Sequence, residues 1–398
     1  MRKNIFQRNK IIVTILLMPM FLVSCQSGDR QAAVALEGET IVTEEAALSE
    51  DEGQETEEIE EKPWLIDRPT VRGIYVTGPR AGSSSMEELI ALVDETELNT
   101  MVIDVKNDEG NITYRMDLPA AQEMGVCINY IPDMEGLMQT LKEHDIYTIA
   151  RIVCFKDPYL AEGQPELMLR NPDGTPFTDS YGLAWVNPYK EGVWEYLTQV
   201  SEAAIDMGFD EIQFDYVRFP IGSEADAADY GVDMESYPKE QAIADFLAYA
   251  SERIHAKGAL VTADVFGTII GSETDVKKVG QNYVTLGKTV DVLCPMVYPS
   301  HYGNQVFGLS VPDAYPYETV HAALGQSVEE LAVLPEEDRA NVRPWLQAFT
   351  ATWVSGHISY GDEQIRQQIQ AVYDAGYEEW LLWNSTNRYS ADGLEPAH

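Results

Sequence analysis

The chain has 398 residues, and its 66 Asp and Glu against 27 Lys and Arg give a formal net charge of −39. Binding of nucleic acid or anionic lipid through a basic face depends on clustered Lys and Arg, so this charge argues against both. We expect no nucleic-acid partner. Residues 63–398 are enough for one large α/β domain rather than a small module.

The first residues indicate location. Basic residues precede an apolar stretch, Ile11–Val23, that is short for a membrane span. The stretch leads into a Leu-Val-Ser-Cys sequence ending at Cys25, which resembles the lipobox of bacterial lipoproteins. This resemblance implies a signal peptide over residues 1–24, lipidation of Cys25, and anchoring at the extracytoplasmic face of the cell membrane. The alternative is an ordinary signal peptide with a chance cysteine.

An acidic stretch follows the cysteine. Glu37–Glu61 contains twelve acidic residues and no basic residue. Such a composition cannot bury enough apolar surface to fold. We therefore predict that residues 25–62 form a disordered acidic tether in front of the folded domain.

The rest of the chain alternates between strand-like and helix-like segments. A parallel (β/α)8 barrel, the TIM-barrel fold, needs eight such alternations. A doubly wound sheet is the rival fold, but no Gly-x-Gly-x-x-Gly sequence follows the first strand. The eight predicted strands are Val71–Thr77, Thr100–Lys106, Tyr147–Cys154, Glu211–Val217, Leu260–Phe266, Val290–Tyr298, Val342–Phe349 and Glu378–Ser385.

Three connections after predicted strands are long: Phe155–Pro188, Ile221–Pro238 and Pro299–Asn341. In a barrel of this kind the connections that follow strands meet at the C-terminal face, where active sites lie. We expect these loops to form the walls of a groove.

Two predicted strands carry an aspartate near their C-terminal ends. Asp215 lies on the strand face opposite Phe214, and Asp264 repeats this pattern on the next strand. Buried charges need partners or water, and paired carboxylates beside a sugar can act as acid and nucleophile, or as acid and base. We predict Asp215 and Asp264 as catalytic residues. Alternatively, such carboxylates form ion pairs with Lys106, Arg151 or Arg218 and only organise the barrel mouth.

Further polar and aromatic side chains near the strand ends are candidates for binding a sugar, because sugar rings stack on aromatic faces. The alternative is that many of the aromatic residues belong to the core. The histidines form no zinc-binding pattern, so we expect no metal and no cofactor. The predicted substrate-binding residues are Tyr75, Asp104, Lys106, Trp185, Gln213, Arg218, Tyr298, His301, Gln347, Trp383 and Asn384.

Residues 63–398 resemble a bacterial family known as the "putative glycoside hydrolase domain", long a domain of unknown function. The resemblance implies a TIM barrel distantly related to the α-amylase and α-galactosidase clans, and a glycan substrate. Those clans place a nucleophilic carboxylate after the fourth strand, which matches Asp215. The resembling segments are Val71–Thr77, Val102–Lys106, Asp108–Gly110, Ala184–Pro188, Glu211–Pro220, Ala263–Gly267, Pro295–Pro299 and Trp383-Asn384.

The chain departs from the related patterns at three positions. Gln213 stands where the amylase pattern has Arg, and Asp264 is the nearest acid where that pattern has Glu. Val217 replaces the catalytic Glu of the chitinase-like pattern, which disfavours chitinase chemistry. The acid/base assignment stays open at this point.

Three functions are compatible with the sequence. The first is a surface-tethered glycoside hydrolase that acts on a polysaccharide or cell-wall glycan. The second is a non-catalytic glycan-binding lipoprotein on a degenerate TIM barrel. The third is a structural envelope protein whose strands only pack.

Overall fold

The computed structural model describes residues 68–397. The predicted signal peptide, the lipidation site at Cys25 and the predicted tether lie outside the described residues. The described part contains nine parallel strands: β1 (Arg72–Val76), β2 (Thr100–Lys106), β3 (Tyr147–Val153), β4 (Glu211–Asp215), β5 (Leu260–Phe266), β6 (Val292–Met296), β7 (Asn341–Val342), β8 (Trp345–Gln347) and β9 (Trp380–Trp383).

The strands form one sheet in the order β5-β4-β3-β2-β1-β9-β8-β6-β7, and β5 also pairs with β6. This last pairing closes the sheet into a barrel. The two short strands β7 and β8 both pair with β6 and occupy one barrel position. The predicted (β/α)8 barrel is therefore confirmed, and each of the eight predicted strand segments contains a strand of the barrel.

The seventh predicted strand is divided into β7 and β8 around Pro344. Proline has no backbone N–H and cannot donate to a neighbouring strand. On either side of it the backbone still bonds within the sheet, because the Arg343 amide donates to the Leu293 carbonyl and the Pro344 carbonyl accepts from the Leu381 amide. The break is thus local.

Helices cover the outer face of the barrel. Helix α6, for example, buries Val193, Leu197, Val200 and Ala204, which recur at the spacing of one helical face. No helix within residues 68–397 is both long and apolar enough to cross a membrane. The helices are α1 (Gly78–Ala81), α2 (Met86–Glu95), α3 (Pro119–Met124), α4 (Met134–Glu143), α5 (Pro158–Gly163), α6 (Glu191–Met207), α7 (Ser223–Asp226), α8 (Lys239–Ala256), α9 (Glu273–Val279), α10 (Tyr283–Thr289), α11 (Pro316–Leu331) and α12 (Asp362–Asp374).

Side chains of each strand divide between the helix layer and the barrel interior. On β4, Ile212 and Phe214 pack in the large core under the helices. Gln213 and Asp215 take the opposite, interior face, as their parity in the sequence predicts. A smaller apolar cluster fills the interior, formed by Val71, Tyr75, Val102, Ile149, Val292, Cys294, Tyr298, Trp345 and Leu381.

The N-terminal end of the barrel interior contains a buried ion network. Arg343 donates to Glu211 at 2.6 Å and to Glu379 at 2.9 Å. Arg68 also donates to Glu379, at 2.6 Å. We call these four residues the basal network. Its two cations and two anions pair with one another at this end of the barrel.

Candidate active site

A cavity of about 410 Å³ opens at the C-terminal ends of the strands. Six of the side chains predicted from the sequence line it: Asp215, Asp264, Arg218, Tyr298, His301 and Trp383. The other lining residues are Asp108, Arg151, Tyr216, Phe266, Gly267, Thr268, Met296 and Trp345.

Arg151, from β3, is the centre of the charged residues at this mouth. Its side chain is only 1% exposed, and its guanidinium contacts three carboxylates. Nη1 donates to Asp104 at 2.7 Å, Nη2 donates to Asp108 at 2.8 Å, and Nε donates to Asp215 at 2.9 Å. One cation therefore pairs with three acids, so carboxyl groups outnumber cations among these four contacting residues. We call these four residues, together with Asp264, the mouth cluster.

Asp104 is held from two sides. The Tyr75 hydroxyl donates to its second oxygen at 2.6 Å, while Arg151 occupies the first. Burial raises the pKa of Asp104 to about 6, against the opposing charge of Arg151, and the negative charge of Asp108 raises it further. Tyr75 in turn stacks on Trp383, with ring centroids 4.0 Å apart. Asp104 and Tyr75 thus support the floor of the cavity without lining it.

Asp108 differs from Asp104 although both bind Arg151. Burial acts to raise its pKa, but the charge and hydrogen bond of Arg151 outweigh burial and hold the pKa of Asp108 below its usual value. The side chain is 42% exposed, so water also reaches it.

Asp215 ends β4 with both carboxylate oxygens engaged. Arg151 donates to Oδ2 from Nε and Nη2, and the Tyr216 amide donates to Oδ1 at 2.6 Å. Tyr216 reaches this position with a φ of 48°, in the left-handed region. A non-glycine residue there carries strain of about 1–3 kcal/mol, which is tolerated most often at functional sites. The turn after β4 therefore orients this carboxylate at the cavity wall.

Asp264 comes from the neighbouring strand. The register pairs Phe214 with Ala263, so the next residues of the two strands, Asp215 and Asp264, lie side by side. Neighbouring strands are about 4.8 Å apart. Trp345 donates from Nε1 to Oδ1 of Asp264 at 2.7 Å.

The protonation of Asp264 is set by its surroundings. Burial raises the pKa of the Asp264 carboxyl well above its usual range, and the adjacent negative charge of Asp215 raises it further. The hydrogen bond from Trp345 and the charge of Arg151 act in the opposite direction without reversing the shift. These surroundings therefore favour the protonated form of Asp264.

Arg218 lines the same cavity but contacts aromatic rings. Its guanidinium carbon lies 5.1 Å from the centroid of Trp185, 5.0 Å from that of Tyr216 and 4.7 Å from that of Phe266. Trp185 is buried under it and donates to Asp179 at 3.2 Å. The two predicted residues Trp185 and Arg218 thus form one cation–π arrangement beside the cavity.

Seven of the predicted substrate-binding side chains do not line the cavity. Three of them, Tyr75, Asp104 and Trp185, are described above, and the other four form contacts within the protein. Lys106 donates to the Val153 carbonyl and pairs with Asp157, after a register shift at the end of β2. Gln213 contacts the Cys294 sulfur inside the barrel. Gln347 and Asn384 bond to neighbouring loops.

Arg151, Asp108 and Trp345 are not among the catalytic or substrate-binding residues predicted from the sequence. Arg151 had a detectable signal, because it is a charged residue on the interior face of a buried strand, as Asp215 is. Trp345 had no such signal, since an aromatic residue in a strand usually packs in the core.

A second cavity of about 830 Å³ shares Phe266 and Thr268 with the first. Its walls come from the long connections after β3, β4 and β5, including the segments 177–180 and 221–224. The two long connections that follow β3 and β4 thus form part of a groove, as their length predicts. From the third long connection, His301 lines the first cavity.

Residues 73–389 match a family described as "Putative glycosyl hydrolase domain". The chain belongs to this family. Membership supports a glycosidase-like function and agrees with the resemblance found in the sequence. None of the curated proteins matches the chain.

Solved structures of a glycoside hydrolase domain and of an α-galactosidase share the barrel fold with this family member. The PgaB (BpsB) glycoside hydrolase domain from Bordetella bronchiseptica is 14% identical, with a TM-score of 0.57 over 82% of this chain and 99% of that domain. The α-galactosidase TtGalA from Thermus thermophilus, in complex with stachyose, is 14% identical, with a TM-score of 0.50 over 82% of this chain and 64% of that one. A hypothetical protein from Ruminiclostridium thermocellum ATCC 27405 is 35% identical over 48% of this chain and 97% of that one, with a TM-score of 0.45.

Proposed function

We propose that the protein is a glycoside hydrolase that cleaves a polysaccharide or cell-wall glycan in the cavity at the barrel mouth. The observation that carries this proposal is the pair of neighbouring carboxyls, Asp215 and Asp264, held in different environments. Arg151 donates two hydrogen bonds to Asp215, whereas burial and the adjacent charge keep the proton on Asp264. Acid-assisted glycoside cleavage requires two neighbouring carboxyl groups with different pKa values, so that one can donate a proton while the other acts as a carboxylate.

Asp264 is the proposed general acid. Its Oδ1 accepts from Trp345, so the second oxygen is free to carry the proton towards the cavity that Asp264 lines. Donation of that proton to the glycosidic oxygen breaks the bond to the leaving sugar, which departs as an alcohol. The sugar that stays behind develops oxocarbenium character and needs a negative charge or an attacking group beside it.

Asp215 is the proposed nucleophile or base. As a nucleophile it bonds to the anomeric carbon, and Asp264, now a carboxylate, activates the water that releases the sugar. As a base it takes a proton from a water molecule that attacks directly. Neighbouring strands favour the shorter carboxyl separation of the nucleophilic route.

Arg151 supplies the guanidinium that the amylase pattern has at the position of Gln213. The amylase pattern has an arginine two residues before its nucleophile on the same strand, whereas here a guanidinium reaches Asp215 from β3. The proposed role of Arg151 is to orient Asp215 and to balance its charge. This is a positioning role, since Arg151 acts on the reaction through Asp215.

One observation favours the alternative, a non-catalytic glycan-binding protein. Arg151 engages Asp104, Asp108 and Asp215 together, and such a network also serves to organise a barrel mouth without chemistry. Binding would then depend on the exposed aromatic faces of the groove, and neither Asp215 nor Asp264 would be needed for it.

A glycan screen separates the two functions. Wild type, Asp215→Asn and Asp226→Asn are incubated with the same panel of polysaccharides and oligosaccharides, and released reducing ends are measured. Asp226 is an exposed acid of the neighbouring cavity, so its variant is a matched control for the loss of one charge. We expect cleavage by wild type and Asp226→Asn, and none by Asp215→Asn. Full activity of Asp215→Asn would remove that residue from the mechanism, and binding without cleavage by wild type would establish the alternative.

We also infer, from the sequence of residues 1–25, that Cys25 is lipidated and anchors the protein at the extracytoplasmic face of the membrane. The support is the basic start, the short apolar stretch and the lipobox-like ending. Metabolic labelling with a fatty-acid analogue should label wild type but not Cys25→Ser. Equal labelling and equal membrane partition of both proteins would refute the anchor.

A further inference from the structure

The cavity is lined by two buried arginines that differ in their partners. Arg151 is shared by three carboxylates, which take four of its five N–H donors. Arg218 lines the same cavity, yet within residues 68–397 no carboxylate forms an ion pair with it.

The surroundings of Arg218 leave most of its donors unused. The residue is 9% exposed, and its one hydrogen bond within the described part of the chain runs from Nη1 to the Phe219 carbonyl at 2.9 Å. Aromatic rings of Trp185, Tyr216 and Phe266 surround the guanidinium plane. Arginine has five N–H donors in a planar fork, so donors remain for a group in the cavity.

A buried cation with no carboxylate in ion-pair contact is costly, and burial lowers the pKa of Arg218 although the charges of Asp215 and Asp179 act in the opposite direction. The cation–π contacts offset part of that cost. Lys156 adds to the positive charge here: it is buried, lies 4.9 Å from the centroid of the Tyr216 ring, and forms no ion pair within residues 68–397. Two cations therefore flank Tyr216 while the neighbouring Arg151 is shared by three carboxylates.

We propose that Arg218 is an anion subsite that binds a carboxylate of the glycan, so that the substrates of this protein are acidic sugars. A sugar carboxylate carries one charge, which one guanidinium balances, and its two oxygens match the fork of Arg218. The aromatic residues around the guanidinium offer apolar surface to the sugar ring that carries the carboxylate. This inference rests on the proposed function, because it places a sugar in the cavity.

Such a carboxylate is found in a uronic acid, where it is attached to the ring, and in a sugar with a lactyl ether, as in muramic acid. Matched probes test the charge alone. One pair is an oligouronate and its methyl ester, and the other is a muramic-acid-containing oligosaccharide and the same compound with the lactyl carboxylate amidated. Affinities for the four probes are measured by calorimetry with wild type, Arg218→Met and Lys278→Met.

We expect wild type to bind the acid of at least one pair about 10- to 100-fold more tightly than its neutral partner, the range of a charged hydrogen-bonded contact. Arg218→Met should bring this ratio to about one while the affinity for the neutral probe stays. Lys278, a cation of the neighbouring cavity, is the control, and Lys278→Met should keep the ratio. The pair with the larger ratio identifies the source of the carboxylate.

Ratios near one for both pairs in wild type would overturn the proposal, and so would an unchanged ratio in folded Arg218→Met. If Arg218→Met does not fold, Arg218→Lys is measured instead, because lysine keeps the charge but lacks the planar fork of donors. The ratio of acid to neutral affinity in Arg218→Lys should be lower than in wild type but above one. Acid-selective binding without cleavage of any probe would refute the hydrolase and leave the subsite standing. Cleavage of neutral glycans without a preference for acidic ones would support the hydrolase and refute the anion subsite.

Discussion

The two ends of the barrel interior each contain a buried arginine bound to carboxylates, and they differ in their balance of charge. In the basal network, Arg343 and Arg68 face Glu211 and Glu379, so charges match in number. In the mouth cluster, Arg151 alone serves three aspartates, and Asp264 lies beside them without a cation of its own.

This difference distinguishes an ion network with equal numbers of cations and anions from one that is rich in acids. Where the numbers are equal, each buried charge has a partner of opposite sign, and removal of one partner leaves a buried charge uncompensated. Where acids outnumber the cation, some must keep a proton, and burial raises the pKa of Asp104 to about 6 and that of Asp264 well above its usual range. A carboxyl group that holds its proton beside an ionised carboxylate can take part in acid–base catalysis.

Asp264→Asn should show the largest effect. Loss of the general acid should lower kcat about 10²- to 10⁴-fold on a glycan with a poor leaving group, because no other group supplies the proton. On an aryl glycoside with an acidic leaving group the loss should be much smaller. Equal losses on both substrates, measured by steady-state kinetics, would contradict the acid role.

Glu211→Gln tests the basal network at the N-terminal end of the barrel. Removing one anion leaves the buried Arg343 short of a partner, which should lower the free energy of unfolding by about 3–5 kcal/mol in urea titrations. Activity per folded molecule should not change. Asp108→Asn is the control at the mouth, and because Asp108 is 42% exposed, its stability cost should stay below about 1 kcal/mol. A larger cost at Asp108 than at Glu211 would reverse the comparison.

The excess of acids over cations within the mouth cluster should also appear in the pH dependence of stability. The pKa of Asp104 is about 6 in the folded protein, above the ordinary value of about 3.9. The folded state therefore holds this proton more tightly, so the stabilisation is complete below about pH 4 and is lost as the pH rises through 6. Relative to Asp104→Asn, wild type should lose about 2–3 kcal/mol between pH 4 and pH 7.

Unfolding titrations of both proteins across this range check the difference, in which contributions of the other carboxyls cancel. A difference that does not vary with pH would show that Asp104 is ionised throughout.

Trp345→Phe should produce the smallest change. The hydrogen bond from Trp345 lowers the pKa of Asp264, so its removal should raise that pKa further. Activity that requires protonated Asp264 is lost as the pH rises, and this alkaline limb should move upwards by about one pH unit. A movement to lower pH in the kcat profile would place Trp345 in a different role.

The sequence by itself determined the barrel, because each strand carries a period of two and each connection carries helical patterning. It also located Asp215, Asp264, Tyr298 and Trp383 at the mouth, since the C-terminal ends of the strands of such a barrel form the face where active sites lie. Fold and strand ends follow from local pattern alone.

Only the tertiary structure decided which of these side chains meet. Arg151 and Asp215 are separated by 64 positions along the chain but lie on paired strands, and their contact depends on the register of β3 and β4. The shift at the end of β2 likewise separates Lys106 from the cavity, although parity alone assigned it to the face of Asp104. Register and side-chain pairing arise from long-range packing, which no short stretch of sequence contains, and so the division of protons between neighbouring acids was set by the folded barrel.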